Sequence, residues 1–218
     1  MNSKIWFSAD THYSHANVLH LCDRQFSDIY EHDKILIQNH NQLVSPNDDY
    51  FFLGDFAYRC SPERVAEILK KLNGHIHIVI GNHDKPLIQA AEKGLLNDML
   101  NKNKLVIFGL NAIMEDHTIG ITKMINIDGQ LVFLSHYGLR TWPSAFRNSY
   151  HLYGHSHSRL PPLYKSMDVG VDVETSTHKR FFPWSYEEIK EEMEKVIKPF
   201  SEATEQTYSE DHRDSAEN

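Results

Sequence analysis

The sequence predicts an α/β fold, on two observations. Up to residue 80, short apolar runs alternate with amphipathic ones in the order strand, helix, strand, helix, strand, which argues for parallel βαβ units. Beyond residue 120 the apolar runs are short and flank an Asp-Gly pair, which suggests a more antiparallel second half.

Taken in order, Lys4–Ala9 (KIWFSA) reads as a buried first strand. A helix follows over Tyr30–Val44, with Ile35, Leu36, Leu43 and Val44 as its apolar face, until Pro46-Asn47-Asp48 breaks it. Asp49–Leu53 (DYFFL) is the second strand. Ser61 then caps a helix with Pro62 at its first position, and Val65, Ile68, Leu69 and Leu72 keep helical spacing up to Gly74. His75–Ile80 (HIHIVI) is the third strand. In the second half, Lys123–Ile127 and Gln130–Ser135 flank Asp128-Gly129, a pair suited to a type I′ hairpin turn. Short strands are expected near Tyr150–Tyr153 and Asp168–Val173. The last helix carries a capping box, Ser185 with Glu188, and Trp184 can staple onto Ile189. Met193, Val196 and Ile197 extend its apolar stripe and Pro199 ends it.

The chain has 218 residues, 40% hydrophobic and 24% charged, enough for one folded domain over residues 1–200. The remainder, residues 201–218, holds six acids against one base and lacks large aliphatics, so it reads as an acidic, disordered tail. That tail carries −5 of the net charge of −8, leaving −3 on residues 1–200. Such a balance argues against a grip on long nucleic acid. There is no run of 18 apolar residues and no apolar leader, so no membrane partner is expected. Cys22 and Cys60 form no disulfide framework and read as reduced thiols of a cytoplasmic protein. Composition leaves the oligomeric state open.

Five polar clusters each follow an apolar strand-like run: Asp10-Thr11-His12, Gly54-Asp55, Gly81-Asn82-His83-Asp84, His136 and Gly154-His155-Ser156-His157. Loops at the carboxyl ends of strands converge on the ligand site of open α/β sheets, so the five clusters point to one polar site. Imidazoles and carboxylates without thiolates suit manganese, iron, nickel or zinc. Asp10, His12, Asp55, Asn82, His136, His155 and His157 are too many ligands for one tetrahedral ion and complement two ions sharing a carboxylate.

In this order the clusters D-x-H, G-D, G-N-H-D, H and G-H-x-H strongly resemble the motif series of the calcineurin-like metallophosphoesterase superfamily, over roughly residues 4 to 198. The stretches DTHYSHANV, LGDFAY, YGHSH and DVGVDV are similar to its small bacterial and phage branch. The resemblance implies a sandwich of two mixed β-sheets flanked by helices. It also implies one ion, manganese first among the candidates, on Asp10, His12, Asp55 and His157. A second ion would sit on Asp55, Asn82, His136 and His155, with Asp55 bridging. His83 would face substrate and assist the leaving oxygen, Asp84 would orient its ring, and a metal-bridging hydroxide would attack phosphorus. One departure stands after Gly54-Asp55: many relatives carry a further acidic or asparagine residue there, where this chain has Phe56-Ala57-Tyr58-Arg59.

Around this centre, His15 either reaches substrate phosphate or caps the helix that follows. Arg59, Arg140, Trp142 and Arg147 are candidate substrate contacts, because arginine suits phosphate and tryptophan stacks on bases. The alternative for Trp142 is to anchor a surface loop. His75, His77 and His151 read as packing residues. The expected function is therefore hydrolysis of phosphodiester or phosphomonoester bonds in small, nucleotide-like substrates. Its rivals are a nuclease on short single strands and a non-catalytic metal-binding scaffold.

Overall fold

A computed structural model describes residues 3–110 and 121–195. The expectations for Val196, Ile197, Pro199 and the tail lie outside the described residues. The first sheet contains β1 (Ile5–Ser8), β2 (Asp49–Phe52), β3 (His75–Ile78), β4 (Leu105–Ile107) and β9 (Trp184–Ser185), in the order β4-β3-β2-β1-β9. Its first four strands are mutually parallel and only β9 runs against β1. The second sheet has the order β5-β6-β7-β8, from Lys123–Ile127, Gln130–Leu134, Tyr150–Tyr153 and Ser166–Asp168. Two mixed sheets with flanking helices are the architecture the motif series implied.

Period-two alternation decides which face of the first sheet meets what. Trp6, Tyr50, Phe52, Ile76 and Ile78 point to one side and join a core with Leu36 of α2 (Ile29–Leu43), with Val65 and Ile68 of α3 (Pro62–Leu69), and with Leu87 and Ala90 of α4 (Lys85–Glu92). Phe7, Phe51 and Leu53 point to the other side. They pack with Val132, Leu134, Leu152 and Met167 of the second sheet and with Ile189 and Met193 of the C-terminal helix (Tyr186–Glu194). The expected caps are present: Ser61 Oγ accepts the Arg64 N–H, and Ser185 and Glu188 form the reciprocal capping box.

Two elements differ from the sequence reading. Only the β5–β6 hairpin of the second sheet is antiparallel, because β6–β7 and β7–β8 run parallel. A long connection, including a 3-10 turn at Ala145–Arg147, carries the chain back from the end of β6 to the start of β7, which a tight hairpin cannot do. The strand expected over Asp168–Val173 is instead β8, which ends at Asp168, and Gly170 then bridges to Ala9 at the seam between the sheets. The consequence is functional. β1, β2, β3, β6 and β7 all point their carboxyl ends at one edge of the sandwich.

His40 of α2 is buried, and its Nε2–H donates to the Asn73 carbonyl at 2.9 Å. Burial pushes this imidazole down to about 4, opposed by that hydrogen bond. A lowered histidine keeps the folded state neutral while the unfolded chain takes up a proton near its ordinary value. Its contribution is therefore present above the unfolded pKa and is lost as pH falls toward 4. Between neutral pH and about pH 5 this costs about 2 kcal/mol. Urea unfolding of His40→Gln is expected to lose that much less stability over this interval than the parent chain. Equal losses in both would show that another group governs the acid limb.

Candidate metal centre

The five clusters meet at this edge. Backbone hydrogen bonds prolong the strand pairing into the loops: Asp10 N–H donates to Gly54 O, His12 N–H to Asp55 O, and Gly154 N–H to His136 O, each at 3.0 Å. The chain then turns sharply to aim side chains. Asp10, His12, Asp55, His155 and His157 all have left-handed φ, from 48° to 66°. Non-glycine residues rarely sit there, and five candidate ligands doing so mark a frame that over-determines their backbone. Approach is close enough to require glycine. A Cβ at Gly81 would lie 2.3 Å from Asp55 Oδ1, and one at Gly154 2.5 Å from Ala9 Cβ.

Two ligand groups result, Asp10 with His12 and His157, and Asp55 with His136 and His155, each with ligating atoms within 4.8 Å of one another. Asp55 lies between them. Its Oδ2 is 3.5 Å from His12 Nε2 and its Oδ1 is 3.5 Å from His136 Nε2. Asn82 Oδ1 stands 3.0 Å from His136 Nε2 and accepts the Tyr137 hydroxyl at 3.2 Å. The donor set fits divalent cations on a further count: Asp10 Oδ1 and both ring nitrogens of His12 are buried without a hydrogen-bond partner. Each such atom costs about 1–3 kcal/mol when left alone.

The groups also tune one another. Burial, then the charge of Asp168, pushes Asp10 up to about 8. Burial acts to raise Asp55 as well, but the hydrogen bond and charge of His136, followed by His12, hold it at about 2. Burial drives His12 down to about 2 against the pull of Asp55, so its ring is neutral. Burial acts to lower His136, but the hydrogen bond and charge of Asp55, joined by the charge of Asp10, together raise it to about 9.

The profile of the calcineurin-like phosphoesterases matches residues 3–166. The chain belongs to that family. An uncharacterised protein of Methanocaldococcus jannaschii is 42% identical over 171 residues, 78% of this chain and 82% of its own length. The crystal structure of a protein of unknown function from Aquifex aeolicus superposes with a TM-score of 0.58, over 87% of this chain and 99% of that one. At 22% identity it speaks for the fold. Membership carries metal-dependent phosphoester hydrolysis as the general activity, and the His/Asp groups above could hold the metals. Among the described residues no helix is long and apolar enough to cross a membrane.

Around this phosphoesterase centre the expected substrate contacts divide. His15 occupies the N-cap position of α1 (Ala16–Leu21), yet its side chain makes no capping bond. Its ring instead lies 5.6 Å from that of His12 and edge-on to Tyr58 at 4.7 Å. The ring of His83 is 5.5 Å from His12 and 4.4 Å from Tyr58. Arg59 is exposed and lies over the Tyr58 ring. Trp142 is corrected to the anchoring alternative. It is 5% exposed, packs with Phe133 and Ala145, and donates its indole N–H to Ser149, so it offers no face for a base. Arg140 and Arg147 are exposed on the same loop, and no hydrogen bond or ion pair joins either to a candidate ligand.

Asp84 is also corrected. Its buried carboxylate accepts the backbone N–H groups of Asp55, Phe56 and Gly81 at 2.7–2.9 Å, so it ties two ligand loops together instead of holding the His83 ring. Burial, then the charge of Asp55, pushes it up to about 7 against those bonds.

Sequence reading missed Arg24, Tyr58, Tyr137, Asp168 and Asp172. Tyr58 was visible as the departure after Gly54-Asp55, and Tyr137 as the neighbour of a ligand. Asp168 accepts the Ser156 hydroxyl and the N–H groups of Ser158 and Gly170, bracing the turn that carries His155 and His157. Nothing local to Arg24 marks it.

Proposed function

We propose that this chain is a dinuclear metal-dependent phosphoesterase that hydrolyses phosphomonoester or phosphodiester bonds of small substrates. One ion, manganese foremost, is held by Asp10, His12, Asp55 and His157, and the other by Asp55, Asn82, His136 and His155. The observation that supports two ions is Asp55, whose two oxygens face one ligand group each at 3.5 Å. Bound divalent ions supply charge for the phosphoryl oxygens and a water activated near neutral pH. The chain's own residues do the rest. The frame of left-handed turns holds the ligands rigid, which spares reorganisation during reaction. His83 and His15 line the rim beside His12, with ring nitrogens for a substrate oxygen, and Arg59 adds a cation over Tyr58. With Trp142 turned inward, the stacking platform expected of that residue does not form, so the reading commits to small phosphate esters as a class. Free Cys22 and Cys60 suit the cytoplasmic setting that belongs to this reading.

The test is to strip the protein, reload it with Mn, Fe, Ni or Zn, and assay aryl phosphate monoesters and diesters. Hydrolysis that needs added metal is expected, with Mn most effective. Two ions bound but no turnover on any ester would leave the non-catalytic scaffold as the better reading.

A further inference from the structure

Arg24 is a long basic side chain at 2% exposure, and five hydrogen bonds surround its guanidinium. Nη2 donates to the Asp10 carbonyl at 2.7 Å and Nη1 to the Thr11 carbonyl at 2.8 Å. Nε and Nη2 grip both oxygens of Asp172 at 2.9 and 2.7 Å, and Nη1 lies 2.9 Å from His32 Nε2. Burying a guanidinium is costly unless every donor is matched, so this arrangement is built rather than incidental.

Its far end reaches the candidate metal centre. Asp172 Oδ2 is 2.7 Å from His157 Nδ1, and Arg180 Nη2 donates to Asp172 Oδ1 at 3.2 Å. A carboxylate ringed by arginine donors only accepts, so His157 Nδ1 must carry the proton it shares with Asp172. That leaves Nε2 with its lone pair. Cys22 Sγ also approaches Nδ1, at 3.3 Å. Cys22, His157 and Asp172 do not make a third cation site, because two guanidiniums already occupy the Asp172 oxygens.

We infer that Arg24 and Asp172 are positioning residues for one metal only, the ion on Asp10, His12 and His157. Arg24 clamps the backbone that presents Asp10 and His12, and through Asp172 it fixes the tautomer and tilt of His157. The other group draws its orientation elsewhere: His136 Nδ1 donates to the Leu53 carbonyl at 2.8 Å. Outer partners of ligating imidazoles typically contribute 10–100-fold in metal affinity. The inference rests on the two-ion reading of the centre.

The test is Mn²⁺ titration by calorimetry, with metal counted by elemental analysis, on the parent protein, Asp172→Asn, Asp172→Glu and Arg24→Lys. In Asp172→Asn one of two ions is expected to weaken about 10–100-fold while the other keeps its affinity. Asp172→Glu, which retains the carboxylate, should recover part of the loss. Two ions both unaffected, or both weakened alike, would overturn the inference and leave Arg24–Asp172 a purely structural ion pair. A parent protein that binds a single ion would instead refute the two-ion reading. The inference then stands or falls on whether Asp172→Asn weakens that ion. Nitrogen-15 shifts of the parent protein loaded with Zn²⁺ need no variant to fold: His157 should show a protonated Nδ1 and a metal-bound Nε2, and the reverse pattern would also overturn it.

Discussion

Asp55→Asn is expected to abolish turnover and to lower metal content at both sites, the largest effect of any single substitution here. Asp55 is 1% exposed, and the bond and charge of His136, against burial, hold its carboxyl at about 2, so at neutral pH it is a full anion. The His83 N–H donates to its Oδ1 at 2.8 Å, which fixes the orientation of both oxygens toward their separate ligand groups. Asparagine keeps the shape and removes the charge. It also turns an amide N–H₂ toward either His12 or His136, where a metal would have met an oxygen. Two unit cations about 4 Å apart repel by roughly 4 kcal/mol at an effective dielectric of 20, and two divalent ions by about four times that. Without an anion between them, double occupancy becomes untenable. Elemental analysis should therefore count fewer than two ions, with no metal-dependent hydrolysis remaining. Two tightly held ions and full turnover in this variant would remove Asp55 as the bridge.

Much of this centre was legible because its signals are local. A ligand that follows a strand end sits within a few residues of the apolar run that aims it, and the parallel register of β1, β2 and β3 turns three such runs into neighbours. The hairpin around Asp128-Gly129 was legible for the same reason. What escaped depends on separation. Arg24 and Asp172 lie 148 residues apart, and neither has a neighbour that predicts the other. Asp84 looked like a partner for His83 because it is adjacent in sequence. Its acceptors were already claimed by N–H groups across the Gly54 and Gly81 turns, which only the folded chain brings together. Trp142 had the chemistry of a stacking platform, and burial behind the second sheet decided otherwise. The parallel β6–β7 pairing was hidden because a long connection permits either direction, and apolar spacing does not choose between them.

His83→Ala separates a catalyst from a metal-binding scaffold. The backbone N–H of His83 serves Asp55, and alanine keeps that bond, so both ions and the fold should survive. The side chain is half-buried, packed on Tyr58 at 4.4 Å and facing His12 at 5.5 Å, on the side where a substrate would enter. With Asp84 committed to backbone N–H groups, no carboxylate of its own loop steadies the ring. Tyr58 does so by packing, and the ring nitrogens remain available to a leaving oxygen. A general acid contributes about 10²–10⁴-fold, so turnover should fall by about a hundredfold or more with metal content unchanged. The loss should shrink on p-nitrophenyl esters, whose leaving group needs little protonation, and grow on esters of more basic alcohols. Equal losses on both would make His83 a phosphate contact rather than a proton donor. Tyr58→Leu should show the same leaving-group dependence in weaker form, because it loosens the ring without removing it. Unchanged turnover in His83→Ala on both substrates would take the residue out of the mechanism.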